Sequence, residues 1–304
     1  MTIKEQIINI PILKTTLYAQ NAIEAAPIVM LHSRYNKTIN LLINNQIFTL
    51  QPKESELSPI SLITDFSITK FQQLSFQPNQ PYRLNLHYSN DAIFSSKLTA
   101  CTSFSPNNVV WYANLAQKIL QKSNAKGLNL LLQNSINDIL LRAFKQYLVQ
   151  AEDLYQLGEL EKSAEYFTKL IGLGIGLTPS GDDFLCGFIA TFQYFTQTQT
   201  AFYQTLTQKL RQHLDNTNTI SRRFLDCALQ QQFSAPILSF FNHTQQRQED
   251  FCLLAQRFEN IGHSSGMDTL FGIYHACQWL LKKNPSSPEC VWLFDVIKQL
   301  NLKM

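Results

Sequence analysis

An α+β fold, a β-rich N-terminal barrel or sandwich followed by a mainly α-helical C-terminal part, is what the placement of proline, glycine and apolar residues predicts. Seven of the eleven prolines fall within residues 1–106, and no glycine precedes Gly127. Short apolar runs broken by turn residues fill that first third, whereas apolar residues at helical spacing fill the remainder. A chain of 304 residues with 45% hydrophobic residues can bury a large interior, and its length favours two domains. We expect a β-rich domain over 1–107 and an α-helical domain over 108–304.

In the first part, "TINLLINNQIFTLQP" alternates about Asn44-Asn45, a pair that tolerates the positive φ of a tight hairpin. "YRLNLHYSNDAIFSSKLTA" repeats the form, with "SND" as its expected turn. Beyond Asn107, Trp111, Leu115 and Ile119 recur at one-turn spacing, as do Leu132, Ile136, Ile139 and Ala143. "AEDLYQLGELEKSAEYFTKL" reads as a further amphipathic helix, and helices are expected to continue to the end. "TNTISRRFLDCALQ" places hydroxyl residues before an amphipathic helix and reads mainly as a cap.

Several classes are disfavoured. The 25 Lys+Arg and 22 Asp+Glu give +3, and the basic residues are scattered in short pairs such as Arg222-Arg223 and Lys282-Lys283. No stripe could follow a phosphate backbone, so nucleic acid is not an expected partner. The cysteines (Cys101, Cys186, Cys227, Cys252, Cys277, Cys290) show neither CxxC nor zinc-finger spacing and read as small buried hydrophobes. No apolar run reaches the ~20 residues of a membrane span, and "MTIKEQIINI" does not resemble a signal peptide. The expectation is a reduced, cytoplasmic protein with no membrane partner.

Two stretches concentrate the glycines. "LIGLGIGLTPSGDDFLCGF" holds five of the ten, and "NIGHSSGMDTLFGIYHACQWL" holds three more. Both contain Ser-Gly-x-Asp-x-Leu-x-Gly: Ser180, Gly181, Asp183, Leu185 and Gly187 answer Ser265, Gly266, Asp268, Leu270 and Gly272, each 85 residues later. The structural reading is a capping box, Ser-x-x-Asp before an apolar helix, with Gly187 and Gly272 admitting a close backbone neighbour. Three details exceed it. Gly172, Gly174 and Gly176 alternate ahead of the first cap, helix starts favour anions, and Asp182 adds an acid that capping does not need.

The expected site is thus a pair of helix starts binding a small anionic substrate, a carboxylate or phosphate. Gly174, Gly176, Thr178, Ser180, Gly181, His263, Ser265 and Gly266 are its candidate binding residues, with Arg34 of "MLHSRYNKTINLL" as a further clamp. Asp182, Asp183 and Asp268 are the candidate catalytic acids and equally the candidate ligands of Mg²⁺, which would offset their repulsion of an anion. Adjacent helical residues point about 100° apart, so Asp182 and Asp183 are not expected to chelate one ion together. Gly176 and Gly181 have P-loop spacing, but Asp182 stands where the P-loop lysine belongs. The dinucleotide fingerprint fails at Leu177, and neither GxSxG nor HExxH occurs.

"GLGIGLTPSGDDFLCG" together with "GHSSGMDTLFGI" resembles the AllH-like family, formerly a domain of unknown function. The resemblance extends over most of the chain, through the HS-type stretch in "LHSRYNKTINLL"; Ile175 departs from it, standing where proline is expected. It implies a subunit of an oxamate carbamoyltransferase, working with two other subunits in anaerobic purine-nitrogen (allantoin) catabolism. Such an enzyme converts oxalurate and phosphate to oxamate and carbamoyl phosphate. The alternatives are a non-catalytic metabolite-binding or assembly subunit, and a purely structural double cap.

Overall fold

The computed structural model describes residues 6–132, 138–243 and 251–282. Ile136, Lys283, Cys290 and the expected helical continuation to the C-terminus lie outside the described residues.

The N-terminal part is a barrel. Its strands are β1 (Gln6–Thr16), β2 (Ile28–Tyr35), β3 (Thr38–Ile43), β4 (Gln46–Gln51), β5 (Ser61–Thr64) and β6 (Pro81–Tyr88), with a short β7 (Ile93–Phe94). The order β5-β4-β3-β2-β6-β1 is closed by a β5–β1 pairing, so six strands form a ring and β7 extends β1 outside it. Closure leaves no open edge among those six strands. The long β1 makes this possible: Gln6–Ile12 pairs with β6, and Ile12–Thr15 turns to β5 across an irregularity between Ile12 and Lys14. Two short helices, α1 (Leu17–Ala25) and α2 (Ile68–Gln72), decorate the ring.

The Asn44-Asn45 hairpin is present, joining β3 to β4 with φ of 48° and 61° at the two asparagines. The second expected hairpin is not. A turn does occur at Asp91, where φ is 57°, but β6 and β7 each pair in parallel with β1, which lies between them. Alternation reports that a strand is half-buried and says nothing of its partner, so the "SND" turn suggests a local pairing that the fold does not make.

The helical part comprises α3 (Pro106–Lys122), α4 (Ile139–Gln156), α5 (Leu160–Thr168), α6 (Ser180–Tyr194), α7 (Ala201–Gln212), α8 (Thr219–Leu229), α9 (Ala235–Asn242), α10 (Phe251–Glu259) and α11 (Ser265–Lys282). The expected repeat Leu132–Ile139–Ala143 does not share one helix. Leu132 ends a 3₁₀ turn and Ile139 is exposed at the first residue of α4, which Asp138 caps by accepting from the Leu141 amide. Gly158, at φ 79°, splits the following amphipathic run into the end of α4 and a separate α5.

Two apolar clusters form. One fills the barrel, with Ile39, Leu41, Phe48, Leu50 and Tyr82; the other joins the helices through a dense aromatic group. At its centre α6 and α11 are buried almost around their full circumference, as all-round apolar helices must be. α8 bridges the two: Cys227 packs into the barrel cluster, and the buried Arg223 lies over the Tyr18 and Phe48 rings while pairing with Asp226.

Candidate functional site

Glycine determines how α6 and α11 meet. A β-carbon at Gly187 would overlap the Thr269 carbonyl oxygen, and one at Gly272 would overlap that of Phe184. These two contacts exchange when each residue is shifted by the 85-residue repeat. The helices are therefore related by an approximate two-fold, with their N-terminal ends side by side. Gly181 and Gly266, six residues earlier, each lie against a carbonyl of the segment that precedes the helix, Leu170 and Phe258.

The capping-box expectation is not met. Pro179 precedes the first turn of α6 and makes no side-chain cap. The serines and aspartates interact across the two motifs instead. The Ser265 and Thr178 hydroxyls lie by Asp183 and act against the rise of its pKa, and those of Ser180 and Ser264 act likewise on Asp268. Thr178 Oγ1 and Ser265 Oγ are 2.6 Å apart, and the Leu128 amide donates to Asp268 Oδ1 at 2.6 Å. Gly127 is required there, since its β-carbon would strike the same carboxylate.

Burial pushes the Asp183 carboxyl well above the usual range, the nearby Asp268 adds to the rise, and the two hydroxyls oppose it. Asp268 is raised by burial as well, against the Leu128 amide and the serines. Asp183 is half-buried at a cavity wall, Asp268 is fully buried, and the Oδ2 atom of each has no hydrogen-bond partner among the described residues. Burial of this kind favours the protonated carboxyl, which can act as a proton donor.

Asp182 has a different environment. Its Oδ1 accepts from the Gly172 amide at 2.9 Å, and its Oδ2 accepts from Thr217 Oγ1 at 2.5 Å and Ser221 Oγ at 2.6 Å. Burial raises its pKa, and these three donors oppose the rise. It thus fastens the glycine loop to the start of α8. The hydroxyls of "TNTIS" serve this contact, and the cap of α8 is Asn218, which accepts from the Ile220 and Ser221 amides.

The glycine loop takes the positive φ that its glycines permit, 74°, 137° and 105° at Gly172, Gly174 and Gly176. Gly174 sits against the Ser180 amide, while Gly176 is exposed. First-turn amides of α6 are used internally: Gly181 N donates to Leu173 O, and the Asp182 and Asp183 amides return to Pro179 O. The groups this helix start presents to a ligand are therefore side chains.

A cavity of about 620 Å³ separates the barrel from the helices. Its helical wall includes Thr178, Asp183, Cys186, Ser265 and Thr269, and its barrel wall includes Asn40, Thr49 and Gln51. Burial and the neighbouring Asp183 push the Cys186 thiol up, keeping it protonated. Sequence reasoning missed Gly127, Cys186, Thr269, Thr217 and Ser221, and Thr49 and Gln51 of the barrel wall.

Other predicted residues lie elsewhere. His263 is exposed and is not among the cavity-lining residues. Arg34 is exposed too, and its guanidinium donates to the Leu74 and Gln72 carbonyls, tying β2 to the segment after α2. No group of three or more His, Cys, Asp or Glu side chains is arranged as metal ligands among the described residues. No helix of the described residues is long and apolar enough to cross a membrane.

Fold and site together define an α+β protein in which a closed barrel and a glycine-paired helical bundle enclose a cavity lined by carboxyl and hydroxyl groups. Residues 170–277 match the family model described as oxamate carbamoyltransferase subunit AllH, which supports an AllH-like family assignment. That match contains both SGxD motifs. No solved structure matches the chain.

Proposed function

We propose that the chain is a subunit of a carbamoyltransferase-type enzyme acting on oxalurate and phosphate, and that the barrel–helix cavity holds the small anionic substrate. The observation that carries this reading is Asp183 at the cavity wall together with Thr178 and Ser265, whose hydroxyls meet at 2.6 Å across the two motifs. In the reaction a phosphate oxygen attacks the ureido carbonyl, the bond from that carbon to the oxamate nitrogen breaks, and the nitrogen needs a proton. A protonated Asp183 supplies it and recovers the proton of the attacking phosphate; Thr178 and Ser265 orient the carboxyl. Asp268 works through Asp183, since a second carboxylate beside it favours the protonated form.

The family match supports the oxamate carbamoyltransferase association and, through the word subunit, the expectation of partner chains. Mg²⁺ held between Asp183 and Asp268 is the competing way to balance the site's charge. Asp182 suits that role less, because an ion would displace its three donors. Calorimetric titration of oxalurate and carbamoyl phosphate, with and without Mg²⁺, tests the reading on wild type and Asp183→Asn. Binding by wild type that the variant loses supports it. A folded wild type that binds neither compound, alone or with the other subunits, overturns it.

A further inference from the structure

The barrel supplies more than a lid. Alternation along β3 and β4 puts Ile39, Leu41, Phe48 and Leu50 on one face, all fully buried. The opposite face carries Thr38, Asn40, Thr49 and Gln51, and all four line the cavity. Polar side chains placed in this way are costly unless paired, and Asn40, Thr49 and Gln51 are paired into a fixed arrangement. Asn40, only 2% exposed, donates from Nδ2 to Ser33 Oγ at 2.9 Å and accepts at Oδ1 from Thr49 Oγ1 at 3.0 Å. This explains the serine of the "LHSRYNKTINLL" stretch, whose hydroxyl also lies 3.0 Å from His32 Nδ1, whereas its arginine turns to the Leu74 and Gln72 carbonyls.

Gln51 is held at one end alone. Its Oε1 accepts from Ser61 Oγ at 2.7 Å, and Ser61 is fixed in turn by the Ser58 amide at 2.9 Å and hydroxyl at 2.7 Å. With the carbonyl end tied, Nε2 is left with no hydrogen-bond partner among the described residues, at the wall of the cavity that Asp183 shares. A two-donor amide nitrogen in a fixed orientation matches a carbonyl or carboxylate oxygen.

We infer that the Thr38/Asn40/Thr49/Gln51 face of the barrel is the second half of the ligand site, with Gln51 Nε2 donating to the carboxylate or carbonyl end of the substrate remote from Asp183. The inference rests on the proposed function for the position of the reacting end. Its ligand is a small acyl compound with acceptors at both ends, lying across the seam between barrel and helices. Gln51 is then a positioning residue for specificity.

The test is titration of oxalurate, oxamate and carbamoyl phosphate into the full chain, alone and with the other subunits, comparing wild type with Gln51→Glu. Glutamate keeps the acceptor for Ser61 and replaces the donor with negative charge. Loss of about tenfold or more in affinity for oxalurate and oxamate is expected, the equivalent of one hydrogen bond. Thr38→Val, which preserves shape, serves as the second variant should Gln51→Glu fold poorly, and a smaller loss is expected from it. Unchanged affinity in a folded variant, with wild type binding normally, overturns the barrel half and leaves the proposed function standing. Failure of wild type to bind any of the three overturns both.

Discussion

Gly187 of α6 lies directly against the Thr269 carbonyl oxygen of α11, with no room for a β-carbon. Gly272 makes the equivalent contact with Phe184, so the two helix starts are brought together by backbone contact at two points. Alanine has the better helix propensity by about 1 kcal/mol. Overpacking against a backbone atom costs about 1–3 kcal/mol or more, and a carbonyl cannot swing aside as a flexible side chain can. Gly187→Ala and Gly272→Ala should therefore each lower stability by roughly 2 kcal/mol in chemical denaturation. A neutral effect would show that the helices have slack at the crossing.

Asp182 and Asp183 are neighbours with opposite expectations. Asp182→Ala leaves Gly172 N, Thr217 and Ser221 without their acceptor. Unsatisfied buried donors make a loss of roughly 2–4 kcal/mol the expected outcome in equilibrium unfolding. Asp183→Asn removes an acid whose charged form is disfavoured by burial, so its cost at neutral pH should be smaller. Equal losses would place both residues in the same structural role.

The pH dependence follows from the same carboxyl. Its folded pKa is raised above the unfolded value of 3.8. The folded state then binds the extra proton, and stability falls as pH rises from about 3.8 through the folded value. Subtracting the Asp183→Asn profile from the wild-type profile should isolate that downward slope. A difference that rises with pH would mean that Asp183 is held ionised.

His275 has the reverse sign. Burial, with a contribution from Lys282, lowers it from 6.5 to about 3 among the rings of Phe184, Phe188, Phe271 and Trp279. The unfolded chain binds a proton below about pH 6.5 that the folded chain refuses, so stability is lost as pH falls from about 6.5 towards 3. Each unit of that window is worth at most about 1.4 kcal/mol. His275→Phe should flatten the acid limb of the stability profile; an unchanged limb would assign it to other groups.

The barrel and the helices were legible because proline, glycine and apolar period each change near the same residues. The internal echo of SGxD was legible too, but not what it builds. Capping is a local rule, and the serines here reach across to the other motif, a contact between segments far apart in sequence. The same limit hid β1 between β6 and β7. Thr217 and Ser221 looked like cap residues because their partner, Asp182, is brought in by the fold. Gly127 carried a usable signal as one of two glycines outside the motifs, and Thr38-x-Asn40 with Thr49-x-Gln51 carried another on an apolar strand pair.

The most direct measurement is turnover: conversion of oxamate and carbamoyl phosphate to oxalurate by the chain assembled with its companion subunits, comparing wild type with Asp183→Asn. The predicted result is turnover by wild type and a loss of about 10²-fold or more in kcat for a variant that still folds and assembles, the size expected for a lost acid–base group. Undiminished turnover by that variant would contradict the assignment of the cavity wall at Asp183 as the reacting centre.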